Sequence, residues 1–397
     1  MKSNSTLLLD LFKAYYKARK NKRNTINQLE FEINYEHNLI QLHDDIINKR
    51  YTISPSICFI ISKPVTREIL AASFRDRVVH HLLFNYINPT FENQFIEDSY
   101  SCRKGKGTYY GIQRLNKAIK ECSTDYTQDC YVLKLDIQGY FMSIDKNILH
   151  KRLINTIAAT SSIQEDIKEL STYLINTILA DNPTKNAIVK GKKADWKSLP
   201  ASKSLFSSKP NCGLPIGNLT SQLFSNIYLH IFDFFIKKEC AIQYYGRYVD
   251  DFFIVHNNPF YLKELIETIK KFLKDTLGLI LHPKKIFLQH YSKGVNFVGA
   301  TLKPHRIYVS NRAKLNFKKC IATWKVFLES TIPSLLDLQK IRASINSYLG
   351  VMKHYRTYTI VYTVLLKDRN NTLFQYGYVE AIKQTSIIYK IYSFKNT

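Results

Sequence analysis

Three aspartates have the residue type and spacing to do chemistry. Asp250 and Asp251 stand side by side in GRYVDDFFIV (Gly246–Val255), between two runs of β-branched and aromatic residues. That pattern predicts a strand, a tight turn and a second strand, because such residues favour strands and Asp tolerates turn geometry. Two like charges at a turn repel each other, and a hairpin needs neither; a divalent cation would need both. Asp136 ends another apolar run, VLKLD, where an ionised carboxylate is costly unless paired or bound to metal. Each feature alone has a plainer reading: a solvated hairpin tip for the pair, a helix cap or a partner of Lys134 for Asp136. Taken together, the order is strand-Asp, Gly-rich turn and helix, then strand-Asp-Asp-strand. Such a set could hold two cations roughly 3.5–4 Å apart, activating an attacking hydroxyl and stabilising a leaving pyrophosphate.

The elements that must position these residues follow from texture. The chain has 397 residues and is 45% hydrophobic, enough for two or three packed subdomains. Fifty-seven Lys and Arg against 32 Asp and Glu give a net charge of +25, which points to a polyanion, nucleic acid first. A membrane is the other polyanion, but no run approaches the roughly 18 apolar residues of a spanning helix. The N-terminus has too short an apolar stretch for a signal peptide, so a cytoplasmic location is expected. Seven scattered cysteines without a CxxC pair argue against a disulfide framework or a zinc site and predict reduced thiols. Residues 1–50 read as helical, with Leu8, Leu11, Phe12 and Tyr15 at helical spacing. Short strands, a helix from about Arg75 to Ile87 and a Gly-punctuated basic loop, SCRKGKGTYYG, follow. The Lys-rich interval 181–210 is long for a connection, which predicts a functional segment or one ordered by a partner. After Pro304 the chain reads as mainly helical.

With its motifs in this order, the sequence resembles the reverse transcriptase family over nearly its whole length. YVDD (Tyr248–Asp251) resembles that family's catalytic box and LKLDIQGYF its first aspartate motif. The resemblance implies an α+β right-hand polymerase: an N-terminal helical extension at 1–50, fingers at 51–130, a palm with an RRM-like antiparallel sheet at 131–302, and a helical thumb at 303–397. A fingers-side insertion falls at about 150–212. It implies Mg²⁺, for which Mn²⁺ can substitute, held as two ions by Asp136, Asp250, Asp251 and the carbonyl of Ile137. Phe141 falls where the family keeps an aromatic gate against the ribose 2′-OH. KPVTREILAASFRDR is similar to the fingers motif, which puts Lys63 and Arg67 near the triphosphate, where point charge and fork geometry suit phosphate. Arg75 and Arg77 would hold the template strand or the fingers fold itself. LGLILHPKKI nominates Lys285 as proton donor to the pyrophosphate, and VNFVGATL resembles the strands gripping the primer end, with Gly299 allowing close backbone approach. Arg103, Lys104 and Lys106, and Lys190, Lys192 and Lys193, are expected to contact nucleic-acid phosphate.

GLPIGNLTSQ (Gly213–Gln222) bears on the branch. Most reverse transcriptases have Gln where this chain has Ile216, beside the incoming nucleotide; Gly217 and Gln222 complete the nucleotide-binding set. The Ile-Gly-x-x-x-Ser-Gln form resembles the enzymes of diversity-generating retroelements, which are related to group II intron-type and defence-associated reverse transcriptases. The first copy RNA with errors at adenines, beside a small basic accessory protein. The defence enzymes use a dedicated noncoding RNA against phage. The expected partners are therefore template RNA, a primer or nascent cDNA and dNTPs, with either of those additions. An RNA-dependent RNA polymerase would share the palm, but Phe141 opposes ribonucleotides; a noncatalytic RNA-binding protein would not need three carboxylates. No protease, RNase H, integrase or HNH motif is visible.

Overall fold

The computed structural model describes residues 4–20, 25–62, 65–368, 371–383 and 386–392. The chain divides into two units, one holding Met1–Gly107, Leu133–Ile254 and Asn258–Leu288, the other Thr108–Val132, Val255–Asn257 and Gln289–Thr397.

The first unit opens with helices Asn4–Arg19, Ile26–Ile33 and Tyr35–Ile47, and the first of them packs on helix Phe74–Glu92. Ser73 caps that helix, its Oγ accepting the Asp76 N–H, and so satisfies one of the donors a helix start leaves unpaired. The strands are β1 (Ile57–Ile61), β2 (Arg67–Ala71), β3 (Tyr131–Asp136), β4 (Ile188–Val189), β5 (Tyr244–Tyr248), β6 (Asp251–His256) and β7 (Phe287–His290). β1 pairs antiparallel with β2 and parallel with β4. A four-stranded sheet has the order β5-β6-β3-β7. Phe252, Phe253, Ile254 and Val255 on β6 and Val132, Leu133 and Leu135 on β3 are buried. Helix Leu219–Phe234, apolar on nearly every side, is buried along its length and packs on helices Phe74–Glu92 and Lys146–Ala159. Asn258 caps helix Pro259–Leu277, which has Pro at its first position and ends at Gly278 in the left-handed conformation.

The 181–210 interval is ordered by this chain itself. It supplies β4 and three single turns of 3₁₀ helix at Lys193–Trp196, Ala201–Lys203 and Leu205–Ser207.

In the second unit, β8 (Val295–Phe297), β9 (Ala300–Lys303) and β10 (Arg306–Val309) form an antiparallel meander. Helices Asn311–Ser330 and Leu335–Met352 follow, the latter opened by a capping box between Ser334 and Asp337. The tail is mainly helical as expected, but not to its end, because β11 (Gly377–Lys383) and β12 (Ser386–Ile391) pair antiparallel. Short apolar runs do not distinguish strand from helix by period alone. What holds β12 is tertiary: Tyr389 is fully buried, its amide N–H donates to Asn346 and its hydroxyl to the Leu373 carbonyl.

The turn between β5 and β6 consists of Val249 and Asp250, so the two strands run antiparallel. Val249 has φ +58°, an outlying conformation for a β-branched residue that the surroundings must enforce. Arg247 supplies the constraint. Its Nη1 donates to the Val249 carbonyl at 2.9 Å, while Nε and Nη2 form a fork onto Asp233 at 2.7 and 2.6 Å. Tyr245 donates a further hydrogen bond to Asp233 at 2.6 Å, and both charged side chains are 0% exposed. Burial disfavours the guanidinium charge, and Asp233 more than offsets it. Gly246 is required beside this pair, since a Cβ there would lie 2.2 Å from the Tyr100 hydroxyl. Breaking a buried pair from one side leaves an uncompensated charge, so Arg247→Ala should cost about 3–5 kcal/mol in urea unfolding. Arg247→Met with Asp233→Leu should recover most of that loss. A single variant as stable as wild type would show that the pair does not hold the turn.

Candidate active site

Adjacent strands β3 and β6 bring the three aspartates together. Asp136 ends β3, Asp250 occupies the second turn position and Asp251 starts β6. The Ile137 N–H donates to the Asp250 carbonyl at 3.3 Å, tying the end of β3 to the turn. On its other side the Asp136 carbonyl accepts the His282 N–H at 2.8 Å and the Gln138 N–H donates to the Ile280 carbonyl at 2.9 Å. That pairing lays LGLILHPKKI beside Asp136, and Lys285 Nζ stands 2.9 Å from both Asp136 carboxylate oxygens. Lys134 points along the same face, its Nζ 3.7 Å from Asp251 Oδ1 and 5.7 Å from the centre of the Phe287 ring.

The electrostatics follow from this crowding. Burial pushes the Asp250 carboxyl up to about 7, and Asp136 adds to the push. Burial also raises Asp251, to about 6, with Lys134 opposing and Asp136 contributing. Among the described residues, no three His, Cys, Asp or Glu side chains already form a metal-holding group, and both Asp136 oxygens are taken by Lys285. The donor set nevertheless suits a hard divalent cation. It consists of carboxylate oxygens, and Asp251 Oδ1 is buried with no hydrogen-bond partner.

Of the residues expected to bind nucleotide, Phe141, Ile216, Gly217 and Arg67 lie on the β1–β2 side of the first unit. Phe141 and Ile216 are both half-buried against one cluster of Cys58, Leu70, Met142 and Leu205. The Leu214 N–H donates to the Phe141 carbonyl and the Leu70 N–H to the Ile216 carbonyl. Gly217 has φ +132°, and a Cβ on it would sit 3.1 Å from Ile69. Arg67 at the start of β2 and Gln222 on helix Leu219–Phe234 are exposed.

The basic residues separate into two kinds. Arg75 is paired with Asp45 at 2.7 Å and the Thr52 carbonyl, and Arg77 donates to the Ala72 carbonyl, so both hold the local fold. Arg103 is turned inward, its side chain 5% exposed, onto Glu92 and the carbonyls of Ile96 and Ser99. Lys106 pairs with Glu97 at 3.1 Å. Lys104, Lys190 and Lys192 are exposed. Lys63 and the side chain of Lys193 lie outside the described residues. Gly299 belongs to the second unit, has φ +92° and has open space where a Cβ would point. Sequence reasoning missed Arg247, Asp233 and Glu68, all buried charges; the signal available was a charge inside an apolar strand or helix, which it used only for Asp136.

A carboxyl that titrates higher in the folded chain stabilises the fold while protonated. Asp250, at about 7 against an ordinary 3.8, therefore contributes stability below about pH 4 and loses it as pH rises through 7; Asp251 does the same up to about 6. Metal-free protein should accordingly weaken over that window, and a divalent cation should compensate where the carboxyls are ionised. Mg²⁺ is expected to raise the melting temperature more at about pH 8 than at about pH 5. Equal shifts at both values would contradict this picture.

Residues 61–302 match the family model described as reverse transcriptase (RNA-dependent DNA polymerase). The chain is 21% identical over 319 residues to Protein YkfC of Escherichia coli (strain K12), an alignment covering 71% of this chain and 74% of that protein. Among solved structures it is similar to telomerase from Candida albicans in complex with a TWJ fragment of telomeric RNA. There the identity is 10%, the TM-score 0.43, and the match covers 88% of this chain and 62% of that one. Apo telomerase from Candida tropicalis matches at 13% identity and TM-score 0.43, over 69% of this chain and 60% of that one. The chain thus spans about three fifths of the telomerase chains it matches. Among the described residues no helix is long and apolar enough to cross a membrane. The family match covers more than half of the sequence and contains Asp136, Asp250, Asp251 and Lys285, and the chain belongs to the reverse transcriptase family, the RNA-dependent DNA polymerases.

Proposed function

We propose that this chain copies an RNA template into DNA at Asp136, Asp250 and Asp251, and that it does so with low fidelity opposite adenine, as in a diversity-generating retroelement. The observation that carries the chemical reading is the convergence of three carboxylates at the junction of β3 and β6, with Asp251 Oδ1 buried, without a hydrogen bond and faced by Lys134 Nζ at 3.7 Å. Asp136, Asp250 and Asp251, assisted by the Ile137 carbonyl, would hold two divalent cations, Mg²⁺ or Mn²⁺, which would supply activation of the primer hydroxyl and neutralisation of the leaving pyrophosphate. Lys285 leaves Asp136 to donate a proton to the pyrophosphate, while Arg67 and Lys63 take the triphosphate. Phe141 closes the sugar side of the site against a 2′-OH. In this reading β1 and β2 belong to the fingers (51–130), the four-stranded sheet to the palm (131–302) and residues 303–397 to the thumb. Lys104, Lys190 and Lys192 contact RNA phosphate.

Asp250→Ala with Asp251→Ala is expected to abolish primer extension while RNA binding stays near wild type. Full extension by that variant would exclude the mechanism.

The low-fidelity reading rests on Ile216, an aliphatic side chain where most of the family offers a hydrogen bond to the nascent base pair. A net hydrogen bond of about 1 kcal/mol changes discrimination roughly fivefold. Sequencing cDNA made from a defined RNA should show errors concentrated opposite template adenines, reduced about that much in Ile216→Gln. Accurate copying of adenine by wild type would favour the alternative in which the enzyme acts with a dedicated noncoding RNA in phage defence; the exposed lysines of the 181–210 insertion suit such an RNA.

A further inference from the structure

The mechanism does not use Glu68, the most deeply buried acid of the β1–β2 hairpin. It lies between exposed Arg67 and half-buried Ile69 and is 1% exposed. A carboxylate taken out of water there must be satisfied in full. Its partners all come from one segment more than a hundred residues away: Trp196 Nε1 and Ser204 Oγ donate to Oε2 at 2.8 Å each, and the Leu205 N–H donates to Oε1 at 2.7 Å. Glu68 therefore fixes where the 196–205 segment lies.

That segment in turn leans on the residues assigned to nucleotide selection. Leu205 belongs to the buried cluster against which Phe141 and Ile216 pack, and Trp196 packs against that same cluster. The Ser202 carbonyl would lie 2.5 Å from a Cβ on Gly139, which has φ +56° in the turn between Asp136 and Phe141. Backbone bonds from Ile188 to the Ser56 carbonyl and from Lys190 to the Cys58 carbonyl hold the preceding part of the insertion to β1. The insertion is thus wedged behind both walls of the nucleotide site, held to β1 by backbone bonds and to β2 by the buried Glu68 carboxylate.

We infer that Glu68 is a positioning residue which, through Trp196, Ser204 and Leu205, sets the placement of Phe141 and Ile216 and so the selectivity for the incoming nucleotide. This rests on the polymerase reading above. Glu68 bonds none of the three aspartates, so its loss should act on nucleotide binding and choice more than on the chemical step. Glu68→Gln keeps the shape but presents an amide N–H₂ to donors, and Trp196→Phe keeps the ring but removes one donor.

The test is steady-state primer extension on a defined RNA template, comparing dNTP with NTP and correct with incorrect dNTP, alongside thermal melting of each variant. Trp196→Phe should raise the KM for dNTP and lower both discriminations by about fivefold, the weight of one hydrogen bond, with kcat little changed. Glu68→Gln should do more of the same. Should Glu68→Gln not fold, Trp196→Phe carries the test. Variants that melt lower but keep wild-type KM and discrimination, or that lose kcat alone, overturn the inference while leaving the polymerase reading in place. A folded wild type that makes no DNA overturns both.

Discussion

Placing two adjacent carboxyls at a half-buried hairpin turn works against folding twice, through desolvation and through their repulsion, and the surrounding protein must offset both. The offset begins with the Arg247–Asp233 pair. The fork between them fixes the Arg247 guanidinium so completely that its remaining nitrogen can hold the Val249 carbonyl and, with it, a β-branched residue in a left-handed conformation. Asp233 sits on the buried helix Leu219–Phe234, so the turn is anchored to the most deeply packed element of its unit. The helix also carries the backbone that follows Ile216 and Gly217, which links the position of the Asp250 turn to that of these two residues.

A second buried carboxylate works in the same manner from the other side. Glu68 ties the 181–210 insertion to β2 as Asp233 ties the turn to its helix. In both cases a charge that would be costly alone gains several donors, and the geometry of those donors specifies one arrangement of two distant segments. The candidate ligands are held differently. Asp250 and Asp251 are left with raised carboxyls and, at Asp251 Oδ1, an oxygen without a hydrogen bond, a balance that favours a cation over an empty site once they ionise.

The site was legible where chemistry and local pattern coincide. Asp250 and Asp251 are adjacent and flanked by strand-formers, and Asp136 ends an apolar strand, so residue type and order sufficed to group them. The helix from about Arg75 to Ile87 was legible for the same local reason, whereas the strands of the 295–302 segment were expected from the family resemblance. Contacts of long sequence separation were not. Nothing near Glu68 announces Trp196 or Ser204, and nothing near Arg247 announces Asp233. The loop SCRKGKGTYYG reads as a basic surface, but charge in a loop does not say which way a side chain turns, and Arg103 turns inward onto Glu92. The β11–β12 hairpin escaped because its short apolar runs fit either period and only Asn346 and Leu373, elsewhere in the unit, decide the matter.

The central claim is that Asp136, Asp250 and Asp251 together form a divalent-cation site. Anomalous diffraction from crystals grown with Mn²⁺, primer-template and a nonhydrolysable dNTP tests it most directly. The account predicts two manganese peaks bonded to carboxylate oxygens of these three residues, with Lys285 withdrawn from Asp136. Manganese absent from these carboxylates, with Lys285 still paired to Asp136 in the presence of bound nucleotide, would contradict it.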